Sequence, residues 1–279
     1  MSTANIYHLF TTWQGEAPIS VKSINGGCIG ASSIAEMSDG KRYFVKCYDK
    51  PDMLIAEATG LKILHDTGKV RVPNTEYLCA EGLVLEYISE GLSGNQQELG
   101  AMIARMHKIE ASQFGLSSNN FIGSTPQINT PTSSWSEFYM QNRLYFQFEL
   151  ILKKGYSELA DYQDKILMAA PRILDTDDAT PSLLHGDLWG GNVLYGKNGI
   201  PYLIDPAVYY GHREADIAMM RLFGGFSNKC IEAYNEVYPL AQGWEYRQPI
   251  YQLYHILNHL NLFGRGYLSQ VKRLCEFYF

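Results

Sequence analysis

Alternation of apolar and polar positions organises residues 1–90 of this 279-residue chain. Ile19 to Ile24 and Ser32 to Met37 read as strands either side of the turn Asn25-Gly26-Gly27-Cys28-Ile29-Gly30. Arg42 to Tyr48 (RYFVKCY) is a third strand, entered through an Asp39-Gly40 turn. From Met53 to His65 the period becomes helical: Leu54, Ala58, Leu61 and Leu64 share a face, and Pro51 precedes the first turn. Strands around Glu76 to Cys79 and Leu83 to Tyr87 complete a small sheet carrying one helix. Gly91 to Asn95 is polar and glycine-containing, a linker in character. Helices dominate beyond it. Leu99, Met102, Ile103 and Met106 form one stripe; Trp135 to Lys153 and Leu159 to Leu174 are amphipathic. Arg213 to Phe223, Lys229 to Val237 and Pro249 to Leu262 follow the same period. Ser112 to Ser134 reads as a long loop packed on Phe114 and Phe121. Leu183 to Pro206 interrupts the helices as strand, polar loop, strand, turn and strand. The expected fold is α+β: a sheet-bearing lobe at 1–90, then a larger, mainly helical lobe at 91–279 containing that interruption.

Composition narrows function more than fold. Apolar residues at 46% and charged residues at 19% describe a globular chain with a large core. The 29 acidic and 23 basic residues leave a formal charge of −6, which argues against a broad surface for nucleic acid or anionic membrane. An anionic substrate would need a local lysine, a metal or backbone amides. No run approaches the roughly 18 apolar residues of a membrane span, and the N-terminus shows no secretory pattern. Cys28, Cys47, Cys79, Cys230 and Cys275 are scattered without a C-x-x-C pair, which fits free thiols in the cytoplasm.

Candidate chemistry gathers in LLHGDLWGGNVLYGKNGIPYLIDP, Leu183 to Pro206. Asp187, Asn192 and Asp205 each abut an apolar run, at the spacing H-G-D-x₄-N followed by I-D that kinase-like phosphotransferases use. Asp187 is the candidate acceptor of a substrate hydroxyl proton; Asn192 and Asp205 are the candidate Mg²⁺ ligands. Asp and Asn are also ordinary turn residues. His185 is read as a packed brace for the loop ahead of a proton carrier, and Asp216 as a brace or a solvated helix residue. Gly26, Gly27 and Cys28 are candidates for a lid over ATP phosphates, although a hairpin turn needs glycines anyway. Lys46, in the apolar setting Phe44-Val45-Lys46, should pair with Glu57 on the next helix and reach the α/β-phosphates. Glu86, Tyr87 and Ile88, where the last strand meets the linker, are candidates for reading the adenine edge.

The chain resembles the fructosamine-3-kinase (ketosamine-3-kinase) family, itself similar to aminoglycoside phosphotransferases and protein kinases. The matching strings are GGCIG from Gly26, FVK ending at Lys46, FIGSTPQIN from Phe121 and HGDLWGGNV from His185. DPAVYYGHREADIAM from Asp205, LFGGF from Leu222 and YQLYHILNHLNLFGRGY from Tyr251 extend the likeness over nearly the whole length. The resemblance implies a two-lobed, protein-kinase-like fold with a small antiparallel sheet. It also implies ATP-dependent phosphorylation of the 3-hydroxyl of a ketosamine, free or on a glycated protein lysine. Ribulosamine or erythrulosamine adducts are expected ahead of fructosamines, with release of the amine and protein deglycation as the outcome.

Where protein kinases carry D-F-G, this chain has Asp205-Pro206-Ala207, and a proline there predicts a metal site without an activation-loop switch. Trp189, Tyr209, Tyr210, His212, His255, Asn258 and His259 are the candidate sugar contacts. His255 and His259 stand at metal-ligand spacing but lack a third ligand, so a pocket wall or core packing is preferred. Cys28 beside backbone amides is a candidate redox switch, forming an interchain disulfide; the expected state is a monomer or a redox-dependent homodimer. An aminoglycoside- or choline-type kinase is the first alternative, and a catalytically silent nucleotide-binding redox module the second.

Overall fold

In the computed structural model, which describes residues 3–24, 30–91, 93–176 and 179–279, five strands pair in one antiparallel sheet. The chain enters through α1 (Thr3–Gln14), for which the sequence reading offered no element. Strands β1 (Ser20–Ile24), β2 (Ala31–Glu36) and β3 (Arg42–Cys47) follow, then α2 (Pro51–Asp66), β4 (Thr75–Leu78) and β5 (Leu83–Glu86). Sheet order is β1-β2-β3-β5-β4. Each strand and α2 agree with the expected position to within two residues. The predicted turn through Gly26, Gly27 and Cys28, and with it the redox reading of Cys28, lies outside the described residues.

The two-residue period of β3 divides the unit's chemistry between faces. Tyr43, Val45 and Cys47 point to one side, where they meet Ile6, Leu9 and Phe10 of α1 and Val84 of β5. Phe44 and Lys46 point to the other, in register with Leu85 and Leu83.

Beyond this sheet come α3 (Gln96–His107), β6 (Asn120–Ile122), β7 (Thr125–Gln127) and α4 (Trp135–Tyr139). A π-helical turn, Met140–Tyr145, joins α4 to α5 (Phe146–Lys153), so the single helix expected over Trp135 to Lys153 is interrupted. The expected loop of 112–134 contains the β6–β7 hairpin. After α6 (Ala160–Leu174) and β8 (Ser182–Leu184) come β9 (Val193–Tyr195) and β10 (Pro201–Leu203), which pair with each other. Then β11 (Tyr209–Gly211) returns to pair with β8, and α7 (Glu214–Phe223), α8 (Asn228–Val237), α9 (Trp244–Phe263) and α10 (Leu268–Glu276) complete the chain. Phe138, Phe148, Ile151, Ile166, Tyr251 and Leu257 are central to the helical core.

Contacts divide the molecule into two units that are not two sequence halves. Val193–Pro206 belongs with the chain up to Asn95; Gln96–Asn192 belongs with Ala207–Phe279. The expected layout put all of Leu183 to Pro206 in the helical lobe. Backbone hydrogen bonds explain the difference: Leu203 N–H donates to Arg71 O, Gly91 N–H to Tyr195 O and Asn95 N–H to Gly199 O. The segment 91–95 is thereby tied to the β9–β10 hairpin.

Candidate active site

In the sheet unit, Lys46 is 6% exposed and donates to Glu57 Oε1 at 2.7 Å. The same ammonium meets the Asp205 carboxylate at the end of the β9–β10 hairpin. Burial opposes the Lys46 charge, but Glu57 and Asp205 outweigh it and raise the pKa above its ordinary value. Burial pushes the Glu57 carboxyl up, against the pull of Lys46. Tyr48, absent from the sequence-based candidates, donates its hydroxyl to Glu57 Oε2 at 2.7 Å. Each Glu57 oxygen therefore has its own donor.

Asp205 has φ +55°, in the left-handed region that only Asp and Asn among branched side chains visit with any ease. Such a residue costs about 1–3 kcal/mol of local strain, a feature that concentrates at functional positions. Glu86 ends β5, its carboxylate accepting from Asn74 N–H at 3.2 Å. Tyr87 lies under the Arg42 guanidinium at 4.7 Å, beside a cleft of about 280 Å³, and Ile88 is buried.

In the helical unit, β8 runs straight into His185-Gly186-Asp187. Gly186 has φ +82°, and a Cβ there would lie 2.1 Å from Ala207 O, so glycine is required twice over. Asp216, 1% exposed in the first turn of α7, accepts from His185 N–H at 2.7 Å and Gly186 N–H at 2.9 Å. Its third partner is His107 Nε2 at 3.2 Å. A carboxylate only accepts, so His107 carries its proton on Nε2 and its Nδ1 accepts from the Tyr234 hydroxyl at 2.9 Å. Burial pushes the Asp216 carboxyl up, but the bond to His107 and the charges and amides around it hold it below its ordinary value. Of the two readings of Asp216 the brace is the observed one. His185 is fully buried, and its Nδ1 accepts from Asp187 N–H at 3.3 Å, a loop brace too.

Asn192 donates its amide to Asp187 O at 2.8 Å and to Asp187 Oδ2 at 3.1 Å. That commitment turns the Asn192 side-chain oxygen toward other partners. A carboxylate at Asp205 and an amide oxygen at Asn192 are hard oxygen donors of the kind Mg²⁺ takes alongside substrate phosphates, so the residues present fit the ion.

The expected sugar contacts separate by burial. Tyr209 is 2% exposed, stacked on Phe138 and pushed up to about 12 by burial. His212 is fully buried against the Tyr251 hydroxyl, and Asn258 bridges Gln147 to Ile122 O. These three are interior braces rather than an open pocket wall. His255 is also buried, and desolvation pushes it down to about 3, so it is neutral. Trp189 is 36% exposed and meets Phe223 edge-on at 6.3 Å. His259 lies against Phe223 at 4.9 Å, with Nδ1–H donating to His255 O. Phe223 and Phe263, about half exposed, extend this aromatic surface; the only sequence hint of them is their place in the aromatic strings.

A sequence profile of the fructosamine kinase family matches residues 2–278. The chain belongs to that family. It is an ATP-dependent kinase. A protein-ribulosamine 3-kinase from Oryza sativa subsp. japonica is 41% identical over 269 residues, covering 92% of this chain and 78% of the relative. A probable ketoamine kinase from Enterococcus faecium is 42% identical over 248 residues, covering 86% and 88%. A Thermobifida fusca structure assigned as a fructosamine-3-kinase superposes with a TM-score of 0.90 at 31% identity, covering 99% of both chains. A choline kinase from Streptococcus pneumoniae shares the fold, with a TM-score of 0.69 at 16% identity and 99% and 98% coverage. The α+β, protein-kinase-like architecture implied by the motifs is therefore the observed one.

Proposed function

We propose that this protein phosphorylates the 3-hydroxyl of ketosamines, with ribulosamine and erythrulosamine adducts preferred to fructosamines, and so serves protein deglycation. The observation that carries this is the Lys46 ammonium, buried and held between the Glu57 and Asp205 carboxylates. Such a lysine is fixed in direction before any nucleotide arrives. Mg²⁺ and ATP, when bound, supply the phosphoryl group and neutralise its charge. Lys46 orients the α/β-phosphates, with Glu57 holding the lysine. Gly26, Gly27 and Cys28 would serve the phosphates, and Glu86, Tyr87 and Ile88 the adenine. Asn192 and Asp205 would hold the metal. Asp187 orients the sugar hydroxyl and takes its proton late in the transfer. Trp189 offers a flat face to the sugar and His259 a polar edge.

The four thiols Cys47, Cys79, Cys230 and Cys275 are free, which favours a reducing cytoplasm. The acceptor is a small ketosamine or a glycated protein lysine, and the protein is a monomer or a dimer linked through Cys28. Oxidant-treated wild type and Cys28→Ser, compared by non-reducing gel and activity, separate those two states.

The test of function is ATP turnover with ribuloselysine, fructoselysine and kanamycin, with Asp187→Asn alongside. Phosphate should reach the ketosamines and not kanamycin, and Asp187→Asn should lower kcat by about 10²–10⁴-fold. No transfer to any ketosamine would remove this reading.

A further inference from the structure

We propose that Arg143 is a positioning residue whose donor-only guanidinium sets the direction of a buried amide relay, clamping Ala207 and Val208 to the catalytic loop. The proposal rests on the kinase reading above only in calling that loop catalytic.

Arg143 sits in the π-helical turn Met140–Tyr145 and is fully buried. Its guanidinium lies 4.1 Å from the Tyr209 ring centre, 4.7 Å from Phe138 and 5.5 Å from Tyr254. No carboxylate pairs with it among the described residues. A buried cation without a counter-ion is costly, and a methionine of similar volume would fill the space at less cost. Packing and cation–π attraction alone do not account for an arginine here.

The polar contacts do. Nη1 donates to Ile128 O at 2.5 Å, and Nη2 donates to Asn129 Oδ1 at 2.8 Å. Arginine has no acceptor, so Asn129 must turn its oxygen toward it and its amide away. That amide donates to Asn120 Oδ1 at 2.9 Å and to Ser118 O at 3.2 Å. Asn120, its oxygen engaged, then donates through Nδ2 to Val208 O at 2.8 Å. Gln127 is set from its other end. The Tyr254 hydroxyl donates to Gln127 Oε1 at 2.7 Å, which leaves Gln127 Nε2 to donate to Asn120 Oδ1 at 2.8 Å and Ala207 O at 3.0 Å. Ala207 N–H in turn donates to His185 O at 2.8 Å.

Every step from Arg143 to Val208 runs donor to acceptor in one direction, and such chains polarise cooperatively. The relay holds both carbonyls that follow Asp205-Pro206, and Ala207 passes the constraint to the backbone two residues before Asp187. Asn120, Gln127 and Asn129 all lie in the β6–β7 hairpin or its exit, which gives this hairpin a task beyond packing.

Asn129→Asp separates this role from a structural one. An ionised aspartate still accepts from Arg143, now as a counter-ion, but cannot donate to Asn120. If Arg143 serves only stability, the variant should be at least as stable as wild type and fully active. The relay predicts a folded protein whose kcat falls about 10- to 100-fold, the scale of a small misplacement, with KM for ATP within about twofold. Arg143→Met and Gln127→Met should lower kcat similarly, and the double variant should be no worse than the poorer single one. Arg143→Lys, which keeps a donor, should recover part of the loss.

Hydrogen exchange at the Ala207 amide needs no substrate. It should quicken at least about tenfold in Asn129→Asp relative to wild type, and remain unchanged in Phe10→Leu, a variant in the separate core of the sheet unit. Wild-type kcat together with wild-type Ala207 exchange in folded Asn129→Asp would overturn the proposal. So would multiplicative losses in the double variant. Wild type that is inactive on ketosamines would remove the functional reading while leaving the exchange arm to decide this one.

Discussion

Lys46 shows how far a single residue can be read. A lysine between Phe44 and Val45 on one side and Cys47 on the other has to find an acid if it turns inward, and the next helix offers Glu57 one turn in. The pair is present at 2.7 Å. Nothing in a tyrosine just past a strand's end announces a carboxylate nine residues on; only the folded register brings its hydroxyl to Glu57 Oε2. Lys46→Met should lower kcat/KM for ATP by about 10²–10³-fold, the size of losing one preorganised charge contact. Tyr48→Phe should cost about 10- to 100-fold in kcat/KM, since a hydrogen bond to a charged group is worth about 1.5–3 kcal/mol. Steady-state kinetics at saturating ketosamine checks both, and an unchanged Tyr48→Phe would mean that Glu57 needs no second donor. His255, with a folded value of about 3 against an ordinary 6.5, stays neutral in the folded state and becomes charged on unfolding in acid. Its contribution to stability is present above pH 6.5 and is lost as pH falls toward 3, by up to about 1.4 kcal/mol per pH unit. Burial holds His107 low as well, in the same direction. Urea midpoints should therefore fall below pH 6.5, and His255→Gln should flatten that slope; an unaltered slope would show that His255 does not titrate on unfolding.

At the level of helices and strands, propensity and period served well wherever one face was apolar. The five sheet strands and α2 were placed because their periods of 2 and 3.6 are uninterrupted. The sequence gives no clear signal for α1 although Ile6, Leu9, Phe10 and Trp13 stand at helical spacing, because Thr11, Thr12 and a glycine at 15 dilute the pattern. Phe10 is fully buried against Tyr43, at 5.5 Å between rings. Phe10→Ala should destabilise the protein by about 3–5 kcal/mol, seen in urea unfolding, with kcat little changed in the folded fraction. The π-helical turn at Met140–Tyr145 is a different kind of miss. Its sequence is amphipathic like its flanks, and the extra residue per turn is a tertiary requirement: it carries Arg143 into the core. The β6–β7 hairpin strands are three residues each, too short for a periodic signature, and are held by the side-chain relay and by Phe114 backbone bonds to Thr132.

Chain topology is where sequence order misleads most. The sheet unit is discontinuous: its hairpin arrives roughly a hundred residues late, carrying Asp205 to Lys46. A fragment ending at Asn95 should therefore lack cooperative unfolding, because it loses the bonds from Leu203, Tyr195 and Gly199 and one of the two acids facing Lys46. Circular dichroism melts of that fragment, with and without a peptide of 193–206, test this; a sharp unaided transition would show that the α1-covered core suffices. The sequence by itself determined the family, the strand and helix inventory of residues 19–90, and the pairing of Lys46 with Glu57. Those follow from local period and from residue types whose chemistry permits few substitutes. Only the tertiary structure decided which unit owns the 193–206 hairpin, that Asp216, itself bonded to His107, braces the His185–Gly186 backbone, and that Tyr209, His212 and Asn258 are interior. Each of these depends on partners far apart in the chain, joined by hydrogen bonds and burial that no local pattern records.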